Sequence, residues 1–380
     1  MSLARQRSNP VTTAEASIKP APLLTLPIEL LDYVLQSLTR TDLLVCLRVN
    51  SAFHTLTSRV LYRTIDELRP RESILCLLEL DRNPRVSPLV RKLDLDWNIE
   101  TTRPTRNLYQ LLHRVLQKLT GLTSLSLELP RADGPCWILD ACTFSLRAFS
   151  TSLPCDPFLA RFLDSQPALT ELTLRGLINH PGDSLPSMPP FLVYAPDPPF
   201  SSRIPNFKLA PTALPRLTSL RTVHGGPAII AAVAKGRPVE MASIALFPLT
   251  SSESLKALSL STAPMRRLSI MSFDPAVQEY LLSEIAGRFP QLEALHVVIL
   301  LSEYTNDLLK ALGPLLAGFK SLQYITFMAA TDRTAQPGEE QAIAKLWHRW
   351  CPTLKTIILP RGRVWFEGRS EWSSLDPEDE

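Results

Sequence analysis

The feature that most constrains this chain is a short apolar pattern that returns along most of its length. The unit is an apolar residue, two residues of any kind, an apolar residue, one of any kind, and an apolar residue. It reads Val90, Leu93, Leu95; Leu122, Leu125, Leu127; and Leu169, Leu172, Leu174. It returns as Met241, Ile244, Leu246; Met265, Leu268, Ile270; and Leu292, Leu295, Val297. Its last copies are Leu322, Ile325, Phe327 and Leu354, Ile357, Leu359. Weaker copies end in threonine, at Leu146, Phe149, Thr151 and at Leu217, Leu220, Thr222. The central residues stand 24 apart from Leu125 to Phe149, from Leu220 to Ile244 and from Ile244 to Leu268; later steps lengthen to 27, 30 and 32.

A period in the twenties to low thirties marks a solenoid, in which each unit is one strand and one helix that bury their apolar faces against neighbouring units. The last two apolar positions of the pattern share one face of a strand, because side chains alternate along it. Helical periodicity precedes several copies, at residues 107–119, 276–289 and 339–350. The composition agrees: hydrophobic residues make up 45% of the chain, leucine dominates them, and only 13 residues are glycine, too few for a Gly-rich nucleotide-binding scaffold. Charged residues at 20% and a net charge of +3 create no strong field, so nothing in the balance calls for nucleic acid or an anionic membrane.

Between residues 181 and 215 the repeat is interrupted by a segment with ten prolines. That density excludes helix and any inner strand. Phe191, Tyr194, Phe200 and Phe207 would suit a binding loop, and an extended insertion with no partner is the alternative. The first 22 residues lack an apolar run and read as a disordered lead. Residues 371–380 read as an acidic tail.

Ahead of the repeats, residues 23–66 carry three short amphipathic segments. Thr25 and Pro27 open the first, with Ile28, Leu31, Val34, Leu35 and Leu38 at helical spacing. Thr41 or Asp42 is expected to cap the second, through Leu43, Leu44, Leu47 and Val49. Asn50 and Ser51 mark a stop before the third, with Phe53, Leu56, Val60 and Leu61. So small a bundle cannot hide all this apolar surface, and part of it should cover something else.

The run Leu26-Pro27, Glu29-Leu30-Leu31, Thr41-Asp42-Leu43-Leu44 and Val49-Asn50-Ser51-Ala52-Phe53 resembles the F-box. The match covers some 40 of 380 residues in several separate elements, with Phe53 where many F-boxes have Trp and Asn50 where many have Ser or Cys. The resemblance implies docking to the Skp-family adaptor of a cullin–RING ubiquitin ligase. On the matching positions that contact falls on Leu26, Pro27, Leu30, Leu31, Val34, Leu38, Leu43, Leu44, Val49 and Phe53. The purely structural alternative is that these side chains pack the three helices on one another.

The repeats in turn resemble the irregular leucine-rich repeats of F-box proteins. The asparagine of the repeat consensus is nearly absent, Asn98 being the one plausible copy. The expected fold is therefore α+β: a three-helix F-box at 23–66 followed by a curved α/β leucine-rich-repeat-like solenoid over 67–370. The implied function is that of a substrate receptor in a Skp–cullin–F-box ligase, using proximity in place of bond chemistry. Outward strand residues Asp94, Asp96, Ser126, Glu128, Thr173, Arg175, His296, Tyr324 and Thr326 are the expected contacts to a protein substrate. A scaffold that recruits the adaptor without ubiquitin transfer is the first alternative.

An enzyme is the second alternative, and the sequence supplies no signature for one. GxSxG, HExxH, GxGxxG and GxxxxGK[ST] are all missing. The six histidines do not pair at ligand spacing; His348 and Cys351 form one HxxC beside Trp347 and Trp350, which reads as packing. His224-Gly225-Gly226 follows a strand-like run and reads as a turn. The six cysteines are scattered, with no CxxC, which points to reduced thiols and a cytoplasmic or nuclear setting, with neither cofactor nor metal expected. No stretch of about 18 apolar residues is present to span a bilayer.

Overall fold

The computed structural model describes residues 26–66, 68–97, 105–129, 135–175, 207–274, 277, 280–330, 337–360, 362–368 and 372–375. Thr25, Asn98, residues 181–206 and residues 376–380 lie outside these. Intramolecular contacts divide the chain into two units between Leu61 and Tyr62.

The first unit is three helices: α1 (Ile28–Gln36), α2 (Arg40–Cys46) and α3 (Ser51–Arg63), whose last turn crosses the division. Pro27 occupies the N-cap of α1, where its missing N–H leaves no donor unsatisfied. The cap of α2 is Thr39, not Thr41 or Asp42: its Oγ1 accepts the Asp42 N–H at 3.3 Å and donates to the Asp42 carboxylate at 2.6 Å. A cap must lie outside the helix, and Arg40 already has helical backbone geometry. Asn50 caps α3 as the stop signal suggested, its Oδ1 accepting the Phe53 N–H at 2.9 Å. The core of this unit is Leu31, Leu35, Leu43 and Leu56, with Leu38, Cys46, Phe53, Val60 and Leu61 packed half-buried around it.

The second unit is built on one 13-stranded sheet whose strands follow in chain order. The strands are β1 (Thr64–Ile65), β2 (Lys92–Asp96), β3 (Ser124–Glu128), β4 (Ala148–Thr151), β5 (Glu171–Leu174) and β6 (Ser219–Thr222). Then come β7 (Met241–Leu246), β8 (Arg267–Ser272), β9 (Ala294–Glu303), β10 (Tyr324–Ala330) and β11 (Thr356–Ile358), each parallel to the last. An antiparallel hairpin, β12 (Val364–Glu367) and β13 (Trp372–Leu375), closes the end. Strand-to-strand order without reversal, each return made on the same side, is the topology of a stacked-repeat array.

Helices make most of the returns: α4 (Pro70–Arg82), α5 (Arg106–Lys118), α6 (Pro157–Asp164), α7 (Pro227–Ala234), α8 (Ser251–Leu258), α9 (Leu281–Arg288), α10 (Asn306–Leu312) and α11 (Pro337–Trp350). The return from β3 to β4 has a 3-10 turn at Cys136–Leu139 instead, so the strand-plus-helix unit is not uniform. The repeated apolar positions form continuous ladders on the helix side. Leu93, Leu125, Phe149, Leu172 and Leu220 stand in register, and Ala242, Leu268, Leu295, Ile325 and Ile357 continue the row. Each leucine so buried is worth about 1.5–3 kcal/mol relative to exposure.

The register corrects the sequence reading at β7. Ala242, not Ile244, is the partner of Leu220 and Leu268, so the unit there is Val239, Ala242, Ile244. Val239 is fully buried whereas Met241 is 36% exposed. A slip of two residues preserves which side chains share a face, which is why the pattern looked intact in the wrong frame. The weaker copies hold their places by a different device. Thr151 and Thr222 are buried, and their hydroxyls accept the N–H of Leu153 at 3.1 Å and of Gly225 at 2.8 Å.

Further corrections fall at the ends and at the insertion. β1 pairs with β2, so the sheet begins before residue 67. Trp372 is buried and Trp372–Leu375 pairs with β12, so the expected tail from 371 contains a strand. The terminal hairpin shields Ile357 and Leu359, which the last repeat would otherwise leave without a neighbour. Phe207 is buried, along with Ala213 and Leu214. It belongs to the core and is not free to act as a binding aromatic.

Candidate functional site

In the three-helix unit the ten residues expected to meet an adaptor separate by exposure. Leu31 and Leu43 are buried and Leu38 and Phe53 half-buried, so these four hold the helices together. Leu26, Pro27, Leu30, Val34, Leu44 and Val49 are exposed, Leu30 at 52% and Val49 at 60%. Ile28, Tyr33 and Val45 add to them. So dense an exposed apolar set in under 40 residues is a feature of interaction surfaces, since isolated exposed leucines are ordinary but clusters are not.

In the sheet unit all nine outward residues named from the sequence lie on the face opposite the leucine ladder. The structure does not gather them into one place. Thr173, His296, Tyr324 and Thr326 line a broad depression of about 510 Å³ that extends from β5 to β10. Asp94, Asp96, Ser126, Glu128 and Arg175 stand at the other end of the face, on β2, β3 and the end of β5. The depression also holds Arg221, Arg267, Ser243 and Ser269, which the sequence reading passed over. Arg221, Ser243 and Ser269 stand in register with Thr173 and His296, and Arg267 lies in the next outward row with Ser219, Met241 and Ala294, so the strand alternation that found the others could have found them.

The electrostatics of the two ends differ. Glu128 is 9% exposed and faces Asp94 and Asp96. Burial is the main cause that pushes its carboxyl above the usual range, the two aspartates add to it, and Arg175 opposes. Arg175 Nη1 stands 3.3 Å from Glu128 Oε1, an ion pair without hydrogen-bond alignment. Lys92, the other cation at this end, is paired with Asp66 at 2.8 Å.

His348 Nδ1 lies 3.2 Å from the Leu354 carbonyl, Trp347 donates to the Leu309 carbonyl at 2.8 Å, and Cys351 is buried beneath them, so the HxxC is a packing motif. Burial pushes the Cys142 and Cys155 thiols up to about 12, and Cys136 higher still, which keeps all three protonated and poorly nucleophilic. Among the described residues no group of three His, Cys, Asp or Glu side chains is placed to hold a metal ion. No described helix is long and apolar enough to cross a membrane.

One buried cation escaped the sequence reading altogether. Arg237, 2% exposed, donates from Nε to the Ala213 carbonyl at 2.9 Å and from Nη2 to the Ala210 carbonyl at 3.0 Å. Its Nη1 reaches the carbonyls of Ala232 at 2.8 Å and Lys235 at 2.9 Å. Arg237 thereby ties the end of the proline-rich insertion to the C-terminus of α7, satisfying helix carbonyls that have no intrahelical donor.

No known family and no curated protein matches the sequence. Among solved structures, a structural-genomics crystal structure of a Bacteroides fragilis protein aligns over 77% of this chain and 72% of its own, at 13% identity and a TM-score of 0.42. At that level neither detailed fold nor function carries over.

Proposed function

We propose that the chain is the substrate-recognition subunit of a Skp–cullin–F-box ubiquitin ligase, its three-helix unit docking the Skp-family adaptor and its repeat sheet holding a protein substrate. The observation that carries this reading is the exposed apolar set Leu26, Leu30, Val34, Leu44 and Val49 on a three-helix unit whose sequence resembles the F-box. A second support is the wide, shallow form of the depression on the sheet, which suits a protein segment better than an enclosed small molecule. In such an assembly the chain contributes proximity: it raises the effective concentration of an acceptor lysine near the charged ubiquitin carrier.

The test is direct binding of the full chain to a Skp-family adaptor, with Leu30→Asp and Val34→Asp as variants. Both positions are exposed, so the folded unit tolerates them, whereas Leu31→Asp would confound binding with unfolding. Loss of a central apolar contact costs about 2 kcal/mol or more in such interfaces. Adaptor binding that both changes abolish supports the reading. A folded wild-type chain that does not bind the adaptor ends it.

A further inference from the structure

We infer that the depression across β6–β10 is the seat of an acidic, extended segment of the partner protein, held by Arg221 and Arg267. The argument starts from register. One outward row runs Ser219, Met241, Arg267, Ala294, Tyr324, and the next runs Arg221, Ser243, Ser269, His296, Thr326. On β6–β10 these two rows hold two guanidinium groups and no carboxylate; the first row meets one carboxylate, Glu171, on β5. The other cations on this face, Lys92 and Arg175, are already matched to Asp66 and Glu128. Arg221 and Arg267 are exposed and make no ion pair among the described residues. Among the described residues neither neighbouring carboxylate pairs with them: Glu293 is engaged by Arg266 at 2.8 Å, and Glu171, at the β5 edge of the depression, makes no ion pair with either arginine.

The rest of the depression fits the same occupant. Ser243, Ser269, Thr173 and Thr326 put hydroxyl donors between and beside the two arginines, without adding charge. Tyr324, 51% exposed, offers an aromatic flank. One step further along the strands the row becomes Ala245, Met271, Val298, Met328, which is apolar. At about 6.6 Å per two residues of strand, a segment lying over the arginine rows reaches this apolar row with its neighbouring side chains. Five strands at about 4.8 Å spacing give a seat roughly 20 Å wide, long enough for about six extended residues. The acidic end of the face, with Asp94, Asp96 and Glu128, repels such a segment and confines it to β6–β10. Carboxylate and phosphate both satisfy a guanidinium fork, so the shared chemistry is an anionic side chain flanked by apolar ones.

The identity of the partner as a ligase substrate rests on the receptor reading, and the experiment separates the two. Four labelled decapeptides serve as probes for the full chain without adaptor, in which Leu alternates with Glu, Gln, phosphoserine or Lys. The expected result is binding of the anionic peptides at least tenfold tighter than the Gln peptide, weakening with salt. Arg221→Ala with Arg267→Ala should remove roughly tenfold or more of that affinity, with the thermal midpoint unchanged. The ranking of the Glu and phosphoserine peptides distinguishes the two anion sources. Arg221→Glu with Arg267→Glu should invert the preference toward a Lys/Leu peptide, which a merely structural role would not produce. Equal binding of the Glu and Gln peptides, absence of binding, or full affinity in the double alanine variant overturns the inference. If the adaptor still binds in that case, the receptor reading survives; if peptide binding holds but the adaptor does not bind, only the receptor reading falls.

Discussion

The two units face the same problem, hiding leucines, and solve it differently. In the sheet unit every repeat lays its apolar pair against the next, and the hairpin β12–β13 covers the last, so the core is continuous from Ile65 to Trp372. The three-helix unit has a core of four leucines and leaves Leu30, Val34, Leu44 and Val49 outside. A stacked array gains surface to bury with every repeat, whereas three short helices run out of partners. The difference lies in what each leaves uncovered: the helical unit exposes apolar side chains beside its small core, whereas the sheet unit keeps its repeated apolar positions buried and turns polar and charged side chains to its open face.

The sharpest way to break that comparison is to cut the same methyl groups from both cores. Leu295→Ala, in the middle of the ladder, should cost about 2–5 kcal/mol and lower the main thermal transition. Leu35→Ala should instead raise amide exchange in α1–α3 while leaving the main transition in place, because the units share no core cluster. A common loss in both variants, read by calorimetry, would mean that the units unfold as one.

Next in size is Arg237→Met. It keeps most of the volume but removes the guanidinium donor from the carbonyls of Ala213, Ala232 and Lys235 and leaves Ala210 only the Ala213 N–H, at a cost of about 3 kcal/mol. Protease should then cut first between residues 207 and 215, where the staple held the chain. Burial holds the guanidinium below its ordinary value, yet its hydrogen bonds are all to neutral carbonyls, so the loss should be the same across the neutral range. Leu30→Asp comes after it in stability terms: it should change neither transition, and if the helical unit docks the adaptor as proposed it should weaken that binding by about 2 kcal/mol or more.

These positions also mark how far the sequence could be read. The ladder was legible because a period of two survives any even slip of frame, and that same tolerance hid the slip at β7. Nothing local separates Met241 from Val239; only pairing with Leu220 and Leu268 does. The nine outward residues were placed on the right face for the same reason, while their separation into an acidic end and a depression depends on strand order. Arg221 and Arg267 follow the same alternation, but that they stand on neighbouring rows of one depression depends on strand order. Arg237 and Phe207 lie outside any periodic segment, and their burial follows from packing between segments far apart in the chain. Thr39 lost to Thr41 and Asp42 in the reading because all three are good caps, and the backbone chooses the one just outside the helix.

The smallest effect tests the electrostatic difference between the two ends of the sheet face. Burial and the neighbouring Asp94 and Asp96 raise the folded-state value of Glu128, so between its ordinary range and that raised value the native chain holds a proton that the unfolded chain has released. Stability then falls as pH rises through this window and recovers as pH drops, the reverse of an ordinary salt-bridged carboxylate. Glu128→Gln removes the titration, keeps the shape and loses only the ion pair with Arg175, which is half in solvent and worth less than about 1 kcal/mol. Asp81 supplies the opposite sign within the same unit. Hydrogen bonds from Lys118 and Arg114 hold its carboxyl below the ordinary range, so Asp81 stabilises the chain above that range and the stabilisation is lost as pH falls from the ordinary range toward the lowered folded-state value. Unfolding measured from pH 7 to pH 3.5 should therefore give two difference curves of opposite slope, Glu128→Gln losing relative to the wild type on acidification and Asp81→Asn gaining. Parallel curves would mean that Glu128 is solvated and that the acidic end of the face is no different from ordinary surface.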